Sequence, residues 1–507
     1  MTTTQESDQV LQRRANLEEL RRLGVAPYPN RFDRQASIDG IVRAHGGKTG
    51  EELDAARTTT RTAGRILAIR SFGKANFLVL SDGKARIQVY IREDSLPARD
   101  FQIFKLLDFG DWVGVEGQLF RTKTKEFTIR ASRLEFLAKC LLPLPEKWHG
   151  LTDVEIRYRQ RYLDLIVNPE ARQVFELRSR VVTAIREFLV GRGFLEVETP
   201  MMQSIPGGAL ARPFVTHHNA LDIPLYMRVA PELYLKRLVV GGIERVFEIN
   251  RNFRNEGMSA QHNPEFTMLE FYWSYADYTD LMSLTEDLLV EVAQTALGTD
   301  ELRYGDHTIA LKKPFPRLLL REVVRAAASK RLGVDVAPDD LRARDRAAAL
   351  AARLGIEVTP GMGAGAITVE MFERLCEQDL VQPTFVHDFP TEVSPLSKQK
   401  PDDPETVERF ELYVAGMEIA NAFSELNDPA EQRRRFEAQL RARAAGQEEA
   451  HALDEDYVRA LEYGMPPAAG EGIGVDRLVM LLTNSHSIRD VICDPVSADE
   501  AEVAGSR

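Results

Sequence analysis

Charged and aromatic side chains are concentrated in the stretch Phe247–Trp273, at a spacing that could bind ligands. Two runs of strand-like alternation flank a polar turn around Gly257–Asn263, which predicts an antiparallel hairpin. Because side chains alternate across a strand, matching faces of the two runs would bring an arginine, carboxylates and rings together. These residues are Arg254, Glu256, Phe266, Glu270 and Tyr272. The alternative is an ordinary surface hairpin held by salt bridges.

A second pair of runs, Phe410–Leu426, also predicts a hairpin, with its turn at Gly416 and Met417. Its return run places an amide, a ring and a carboxylate on one face, opposite small residues: Asn421, Phe423 and Glu425. Glu411 and Glu418 lie on opposing arms near the turn. Paired carboxylates of this kind either ligate a hard cation or are solvated, and the residues alone leave both possibilities open.

A glycine-rich segment, residues 469–482, places three alternating glycines before an apolar helix, with Arg477 at the helix start. Such glycines permit close approach of the backbone to a neighbour, but a lone glycine-rich turn is a weak signal. The sequence contains no G-x-x-x-x-G-K-[ST] run, so a P-loop is not predicted.

A basic module precedes these three segments. Residues 61–137 form five short alternating runs with a more helical segment near Ala98–Leu107, which predicts an OB-type barrel with an oligonucleotide-binding face. Residues 57–139 contain 16 Lys and Arg against 9 Asp and Glu, a local charge of +7, whereas the whole chain carries −12. A polyanion would therefore be met at this module. Phe77 is either a base-stacking platform or a core phenylalanine.

Helical spacing of apolar residues dominates elsewhere. It predicts helices over Ser7–Leu23, from Arg178 to a glycine turn at 191–193, over Leu318–Gly333 and over Leu341–Gly355. The second of these is followed by a strand that ends at Pro200. Residues 330–380 form a predicted helical insertion.

Length and composition limit the class of protein. At 507 residues the chain is too long for a single core, and two or three domains are expected. No apolar run approaches ~18 residues and the N-terminus lacks a signal-type apolar segment, so a cytoplasmic protein without membrane spans is expected. Cys140, Cys376 and Cys493 are isolated, and neither a disulfide framework nor a zinc site is predicted.

The run FRNEG at 253–257, followed by HNPEFT at 262–267 and E-x-Y, resembles motif 2 of class II aminoacyl-tRNA synthetases in the form found in lysyl-tRNA synthetases. The helix, turn and strand at 178–200 resemble motif 1, and residues 469–482 resemble motif 3. The resemblance implies an α+β fold, an antiparallel sheet with flanking helices preceded by an all-β OB-fold barrel, and a homodimer formed through motif 1. The implied domains are a helical extension (1–57), an anticodon-binding barrel (58–140), a linker (141–165) and a catalytic domain (166–507).

The same resemblance implies a two-step reaction. ATP and L-lysine form lysyl-adenylate and pyrophosphate, and lysine then passes to the 3′-terminal adenosine of tRNA(Lys). Arg254 and Arg477 are the implied catalytic residues, and Glu411 and Glu418 the implied ligands of Mg²⁺. The implied ATP-binding residues are Arg254, Glu256, His262, Asn263, Phe266, Glu418 and Arg477.

Two recognition sites are implied as well. The lysine-binding residues carried over are Gly208, Glu232, Arg254, Glu270, Tyr272, Asn421, Phe423 and Glu425. Anions and rings around an alkyl-ammonium group supply charge-assisted hydrogen bonds and cation–π contact, which argues against the aspartyl and asparaginyl relatives. The residues carried over for a uridine-rich anticodon are Arg70, Phe77, Gln88 and Glu126.

The sequence departs from the family pattern in two places. It ends DVICDPVSADEAEVAGSR, where the family commonly continues with a hydrophobic–proline–basic tail, and Leu210 stands where a smaller residue is expected. Two alternatives remain: a lysine ligase that acts on a protein, and a catalytically silent RNA- or ATP-binding paralogue. The barrel pattern argues against the first, and Arg254, Glu418 and Arg477 argue against the second.

Overall fold

The computed structural model describes residues 7–145, 151, 153–209, 211–444 and 453–495. The two places where the sequence departs from the family pattern fall largely outside these ranges: Leu210 and the chain from residue 496 onward. The chain divides into two compact units, Met1–Arg172 and Gln173–Arg507. None of the described helices has the length and apolar character that crossing a membrane requires.

The first unit contains a closed five-stranded barrel with the order β1-β2-β3-β5-β4. Its strands are β1 (Thr59–Phe72), β2 (Ala75–Ser81), β3 (Arg86–Arg92), β4 (Trp112–Arg121) and β5 (Phe127–Ala138). Its helices are α1 (Asp8–Arg22), α2 (Ile38–His45), α3 (Gly50–Ala56), α4 (Ala98–Lys105), α5 (Val154–Arg159) and α6 (Arg161–Val167). Alternate strand residues fill one apolar core, and the predicted barrel with its single intervening helix is confirmed.

The second unit is built around an eight-stranded sheet. Its strands and those of two small sheets are β6 (Leu195–Glu196), β7 (Met202–Gln203), β8 (Val215–His218), β9 (Ile223–Met227), β10 (Arg245–Phe253), β11 (Glu265–Ser274), β12 (Glu301–Tyr304), β13 (His307–Ala310), β14 (Arg317–Leu319), β15 (Thr384–His387), β16 (Arg409–Val414), β17 (Met417–Ser424) and β18 (Ala468–Gly474).

Helices cover this sheet. They are α7 (Pro169–Gly191), α8 (Glu232–Val240), α9 (Tyr278–Leu297), α10 (Leu320–Leu332), α11 (Arg344–Arg353), α12 (Ala364–Leu375), α13 (Pro429–Ala444), α14 (Glu455–Glu462), α15 (Val475–Thr483) and α16 (Ile488–Val491). Short 3₁₀ turns occupy Pro338–Leu341, Glu377–Asp379 and Thr391–Val393. Helix α7 begins before the predicted Arg178, because the segment from Pro169 continues the same apolar spacing toward its N-terminus.

The large sheet has the order β14-β15-β16-β17-β18-β11-β10-β6. Its six inner strands are antiparallel, as predicted, but the two edge pairs, β14–β15 and β10–β6, are parallel. Parallel neighbours require long crossover connections, and here those connections contain helices. Strands of two and three residues carry too short a pattern to reveal their direction, and the family resemblance implied an antiparallel sheet, so the two parallel edge pairs were not predicted.

Both predicted hairpins are present and adjoin through β18. Strand β10 pairs with β11, which pairs with β18, and β18 pairs in turn with β17. In the first hairpin Phe247 lies opposite Phe271 on the face buried against the core, whereas Glu248 lies opposite Glu270 on the other face. The period of two thus separates apolar packing from ligand-binding groups.

One carboxyl group is enclosed on the core side. Glu471 of β18 is buried, and the hydroxyl of Thr285 on α9 lies 2.7 Å from both carboxylate oxygens. Burial raises the pKa of Glu471 to about 8 from an ordinary 4.5. The folded state therefore retains a proton that the unfolded chain loses between pH 4.5 and 8, so this group stabilises the fold at low pH and less as pH rises.

We expect Glu471→Gln to flatten the pH dependence of unfolding. A neutral amide does not ionise, so the difference in stability between pH 5.5 and 7.5 should shrink by about 1–3 kcal/mol relative to wild type. The measurement is urea unfolding of both proteins at both pH values, followed by tryptophan fluorescence. Equal pH dependence of the two proteins would show that Glu471 is ionised in the fold.

Candidate active site

A cavity of about 370 Å³ opens on the face of the sheet that carries the polar residues. All but one of the residues predicted for catalysis, ATP, lysine and metal line it. They are Gly208, Glu232, Arg254, Glu256, His262, Asn263, Phe266, Glu270, Tyr272, Glu411, Glu418, Asn421, Phe423 and Arg477. Glu425, the exception, is 1% exposed and lies just past the end of β17.

Basic side chains concentrate at one end of the cavity. Arg477 at the start of α15 donates through Nη1 to the carbonyl of Glu418 (2.8 Å) and to its carboxylate (3.3 Å). Its Nη2 lies 3.2 Å from Nε2 of His262. Arg254 is half-buried, its guanidinium carbon lies 5.0 Å from the ring centroid of Phe266, and its enclosed Nε has no hydrogen-bond partner among the described residues. The Nε donor of Arg254 is therefore open to an anion, whereas Arg477 is engaged by Glu418 and His262.

His262 is neutral in this arrangement. Desolvation and the neighbouring Arg477 lower the pKa of His262 below its ordinary 6.5. Since Nε2 faces a donor, we assign the proton to Nδ1, which lies 2.8 Å from the hydroxyl of Ser259. His262 thus contributes a hydrogen-bonding ring and no charge near pH 7.

Two polar residues beside these cations differ in how firmly they are held. The amide nitrogen of Asn263 donates to the carbonyl of Glu265 (2.6 Å), while its buried Oδ1 has no partner among the described residues. Glu256 is exposed in the turn of the first hairpin and lines the cavity. An acceptor atom of Asn263 therefore remains available to a ligand.

Carboxylates collect on the second hairpin. Glu411 is buried and accepts from Arg409 and from the hydroxyl of Tyr413, both at 2.5 Å. Burial, with a contribution from Glu418, raises the pKa of Glu411. Burial and neighbouring carboxylates also raise the pKa of Glu373 to about 7. This excess of negative charge is the environment that a cation would relieve.

The pair Glu411 and Glu418 is compatible with Mg²⁺. Both line the cavity. Within the described ranges no group of three His, Cys, Asp or Glu residues forms a complete metal site. Magnesium needs no such cage, because it usually takes one or two carboxylates and completes its shell with substrate phosphates and water.

Acidic and aromatic groups form a second cluster in the cavity, here called its acidic end. Glu232, Glu270 and Tyr272 are almost fully buried, and the Tyr272 hydroxyl donates to Glu270 (2.6 Å). Burial raises the pKa of Glu232, raises that of Glu270 to about 8 and raises that of Glu425 well above its ordinary value. A buried set of carboxylates whose pKa values all rise has a strong preference for a bound cation.

Two glycines make room for this cluster. Gly208 has φ +93°, and a Cβ there would lie 2.9 Å from Cβ of Glu232. A Cβ on Gly470 would lie 2.3 Å from the ring of Tyr272 and 2.4 Å from Oε1 of Glu425. Gly470 lines the cavity, and the absence of a side chain there leaves space for the carboxylate of Glu425, whose two oxygens are enclosed.

Sequence reasoning missed several residues that hold the site. Lys236 pairs with Glu232 and Glu425, and Arg409 donates to Asn421 (3.2 Å) as well as to Glu411. Asp476, which precedes Arg477 in the chain, accepts a hydrogen bond from the backbone N–H of Thr267 (2.6 Å) and forms an ion pair with Arg178. The four-residue spacing from Glu232 to Lys236 and the two-residue spacing from Arg409 to Glu411 were visible signals.

A second cavity, of about 340 Å³, lies on the barrel. It brings together three of the four residues predicted to read an anticodon, Arg70, Gln88 and Glu126. The fourth, Phe77, is opposite Arg70 in the register of β1 with β2. Gln88 donates to the hydroxyl of Thr128 (3.1 Å), whereas Arg70 and Glu126 are exposed.

Aromatic rings extend across the same barrel face. Phe77 lies between Tyr90 (centroids 5.1 Å apart) and the exposed Phe72 (6.3 Å). Its neighbours Asn76 and Leu78 are buried on the inner side of β2, while Phe77 is only half-buried. The ring is therefore on the outer surface, in a position to stack with a base.

Comparison with known protein families gives two matches. Residues 153–497 match the family described as tRNA synthetases class II (D, K and N). Residues 60–137 match the OB-fold nucleic acid binding domain. The first match contains the cavity of the second unit, and the second match contains the barrel.

Individual proteins match over nearly the full chain. A lysine–tRNA ligase of Pelotomaculum thermopropionicum is 54% identical over 485 residues, which span 96% of this chain and 94% of that protein. One of Carboxydothermus hydrogenoformans is 55% identical over 480 residues, 95% of this chain and 96% of that protein. A heat-inducible lysine–tRNA ligase of Escherichia coli K12 is 53% identical over 490 residues, 96% of each chain.

Proposed function

Because the chain belongs to the lysine–tRNA ligase family of class II tRNA synthetases, we propose that it activates L-lysine with ATP and transfers the lysyl group to the 3′-terminal adenosine of tRNA(Lys). The observation that carries this proposal is the polarity of the cavity. Its lining combines arginines suited to phosphate and carboxylate with buried carboxylates and rings suited to an ammonium group.

In the first step the lysine carboxylate attacks the α-phosphate of ATP, and pyrophosphate leaves. A carboxylate is already ionised near pH 7, so no general base is needed. The protein contributes position and charge neutralisation. Arg254 would contact the α-phosphate and the attacking carboxylate, Arg477 and His262 the outer phosphates, and Phe266 the adenine, with Glu256 and Asn263 as polar contacts.

Glu411 and Glu418 would hold the Mg²⁺ that accompanies ATP. When bound, the ion neutralises phosphate charge and orients the leaving group. The contribution of this chain is to keep the two carboxylates in place: Arg409 and Tyr413 fix Glu411, and Arg477 contacts Glu418.

Recognition of lysine would use the acidic end. Glu232, next to the positive-φ Gly208, would contact the α-ammonium group, and Asn421 the carboxylate. The ε-ammonium group would meet Glu270, Tyr272, Phe423 and Glu425. An amino acid that is neutral or shorter than lysine would leave these buried carboxylates without a cation. The site therefore rejects it by more than its size alone would explain.

In the second step the terminal ribose hydroxyl of tRNA attacks the activated carbonyl, and AMP leaves. Selection of the tRNA would rest on the barrel, where Arg70, Gln88 and Glu126 surround one cavity and Phe77 offers a ring. Single-stranded bases are read by stacking on rings together with hydrogen bonds to their edges.

We expect Phe77→Ala to weaken tRNA charging without affecting adenylate formation. One lost stacking contact costs about 1–3 kcal/mol, which corresponds to a roughly 5- to 150-fold loss of charging efficiency, mainly in the KM for tRNA. The measurements are charging, lysine-dependent ATP–pyrophosphate exchange and thermal unfolding on one preparation.

The matched control is Phe136→Ala, which removes a ring from the barrel core. The free energy of unfolding of that variant should fall by about 3–5 kcal/mol. Any loss of charging by Phe136→Ala should therefore be accompanied by a lower melting temperature. Undiminished charging by the Phe77 variant of a tRNA with a UUU anticodon would contradict the stacking role.

We also propose a homodimer, formed through the surface that includes the end of α7 and β6. Exposed apolar side chains cluster in sequence there and in the following strands: Val190, Leu195, Met201, Met202, Val215 and Leu221. Burial of such side chains against a second copy is a common reason for an exposed apolar patch.

We also propose a cytoplasmic location and four segments with the limits 1–57, 58–140, 141–165 and 166–507.

The decisive experiment for the first step is ATP–pyrophosphate exchange with each of the twenty amino acids. We expect exchange with L-lysine alone, dependent on Mg²⁺. Exchange with aspartate or asparagine would instead indicate another specificity within the same group of synthetases, and exchange with none would indicate a catalytically silent paralogue.

A further inference from the structure

A resident ammonium group lies beneath the acidic end of the cavity. The side chain of Lys236 on α8 is fully buried, its Nζ lies 2.5 Å from Oε1 of Glu232, and it forms an ion pair with Oε2 of Glu425. The rings of Phe423 and Tyr272 have their centroids 5.2 and 6.0 Å from Nζ. Lys236 does not line the cavity, and its ion pairs with Glu232 and Glu425 place it against carboxylates that we assign to the substrate.

The charges at this end leave a defined deficit. Glu232, Glu270 and Glu425 carry three negative charges when ionised, and Lys236 supplies one positive charge. The two negative charges that remain match the two ammonium groups of L-lysine. The carboxylate of L-lysine is assigned to Arg254 and Asn421. Without Lys236, three enclosed carboxylates would face two cations, and at least one carboxylate would favour its protonated form.

The surroundings of Lys236 support this view. Burial raises the pKa of Glu232 and of Glu425, and Lys236 is the strongest influence that lowers both. Among the described residues, the ion-pair partner of Glu425 is Lys236, which contacts Oε2. Titratable or charged groups face this cluster from α8, β10, β11, β16, the end of β17 and α14: Glu232, Glu248, Glu270, Tyr272, Arg409, Glu425 and Tyr457.

We propose that Lys236 is a positioning residue for the substrate: it holds Glu232 and Glu425 ionised and in place, and so adapts the site to an amino acid with two ammonium groups. The inference rests on the proposed function of the cavity. It adds a specificity-determining residue that acts through the carboxylates it pairs with.

The test is Lys236→Met, which keeps an unbranched side chain and removes the charge. In lysine-dependent exchange at pH 7 we expect the lysine KM to rise at least about tenfold while the ATP KM changes less than twofold. As pH rises to 8.5 the carboxylates of the variant ionise, so the ratio of its lysine KM to that of wild type should fall toward one. A purely structural role would give a ratio that does not depend on pH.

Arg237→Met is the matched control. Arg237 is the next residue of α8 and pairs with Asp454 and Asp456 outside the cavity. Its loss tests whether removal of a cation from this helix is itself damaging. We expect the control to keep the lysine KM of wild type, with any change confined to the melting temperature.

A double variant, Lys236→Met with Glu425→Gln, covers the case in which the single variant does not fold, since it removes both charges of one pair. Because Lys236 acts through Glu425 as well as Glu232, the loss in lysine KM of the double variant should be clearly smaller than the loss of Glu425→Gln multiplied by the at least about tenfold loss expected for Lys236→Met. Additive losses, or an unchanged lysine KM in a folded Lys236→Met protein, would overturn the inference. Absence of lysine-dependent exchange in wild type would overturn the proposed function itself.

Discussion

Replacement of Arg254 by alanine is expected to lower the rate of lysine-dependent ATP–pyrophosphate exchange by about 10³-fold. Arg254 offers an enclosed guanidinium whose Nε has no partner among the described residues and whose plane lies over Phe266. A preorganised donor of this kind stabilises the charge that develops during transfer, and removal of one such donor costs about 10²–10³ in kcat. A guanidinium supplies two parallel donors, which places the loss at the upper end.

Arg251→Ala is the control for this result, because Arg251 lies on β10 shortly before Arg254, is exposed by 42% and, among the described residues, forms a long ion pair (3.7 Å) with Glu265. It should retain exchange near the wild-type rate. Arg254→Lys should recover only part of the activity, since an ammonium group cannot bond in a bidentate fashion. Exchange within tenfold of wild type in a folded Arg254→Ala protein would contradict the assigned role.

Glu425→Gln is expected to raise the lysine KM and to lower kcat/KM for lysine by roughly 30- to 1000-fold, with little effect on the ATP KM. Glu425 is buried, and its Oε1 occupies space that a side chain at Gly470, a residue of the cavity wall, would take. Loss of one charge-assisted partner leaves a buried ammonium group under-paired, at a cost of about 2–4 kcal/mol. The measurement is exchange kinetics with lysine and ATP varied in turn.

Glu265→Gln provides the comparison, since Glu265 is an exposed carboxylate at the start of β11 in the same sheet. It should leave both KM values unchanged. A wild-type lysine KM for Glu425→Gln would mean that Glu425 serves only the ion pair with Lys236 and never meets the substrate.

Strand alternation was sufficient to predict the parts of the fold that position the cavity. The register that sets Glu248 against Glu270, and the hairpin that carries Glu411 and Glu418, follow from a period of two combined with a polar or glycine turn. The barrel was predictable for the same reason. Of the short edge strands, β14 was not predicted because three residues contain no usable period, and the strand predicted before Pro200 is reduced to the two residues of β6.

The cavity itself was only partly predictable. A pattern places side chains on a face, but it does not show that Glu425 lies behind Gly470 or that Lys236 occupies the space between two carboxylates. Lys236 and Glu425 are almost two hundred positions apart in the sequence, and only the folded chain brings α8 to the end of β17. The resemblance to a family supplied roles for the residues that contact ligands, and it omitted those that hold them.

The most direct measurement is aminoacylation of defined tRNA transcripts with all twenty amino acids, followed by identification of the amino acid esterified to the 3′-terminal adenosine. We expect L-lysine on a transcript with a UUU anticodon and a large loss of charging when the anticodon is replaced by GUC. Lysine-dependent exchange without any charging of tRNA would contradict the proposal and favour a ligase that transfers lysine to another acceptor.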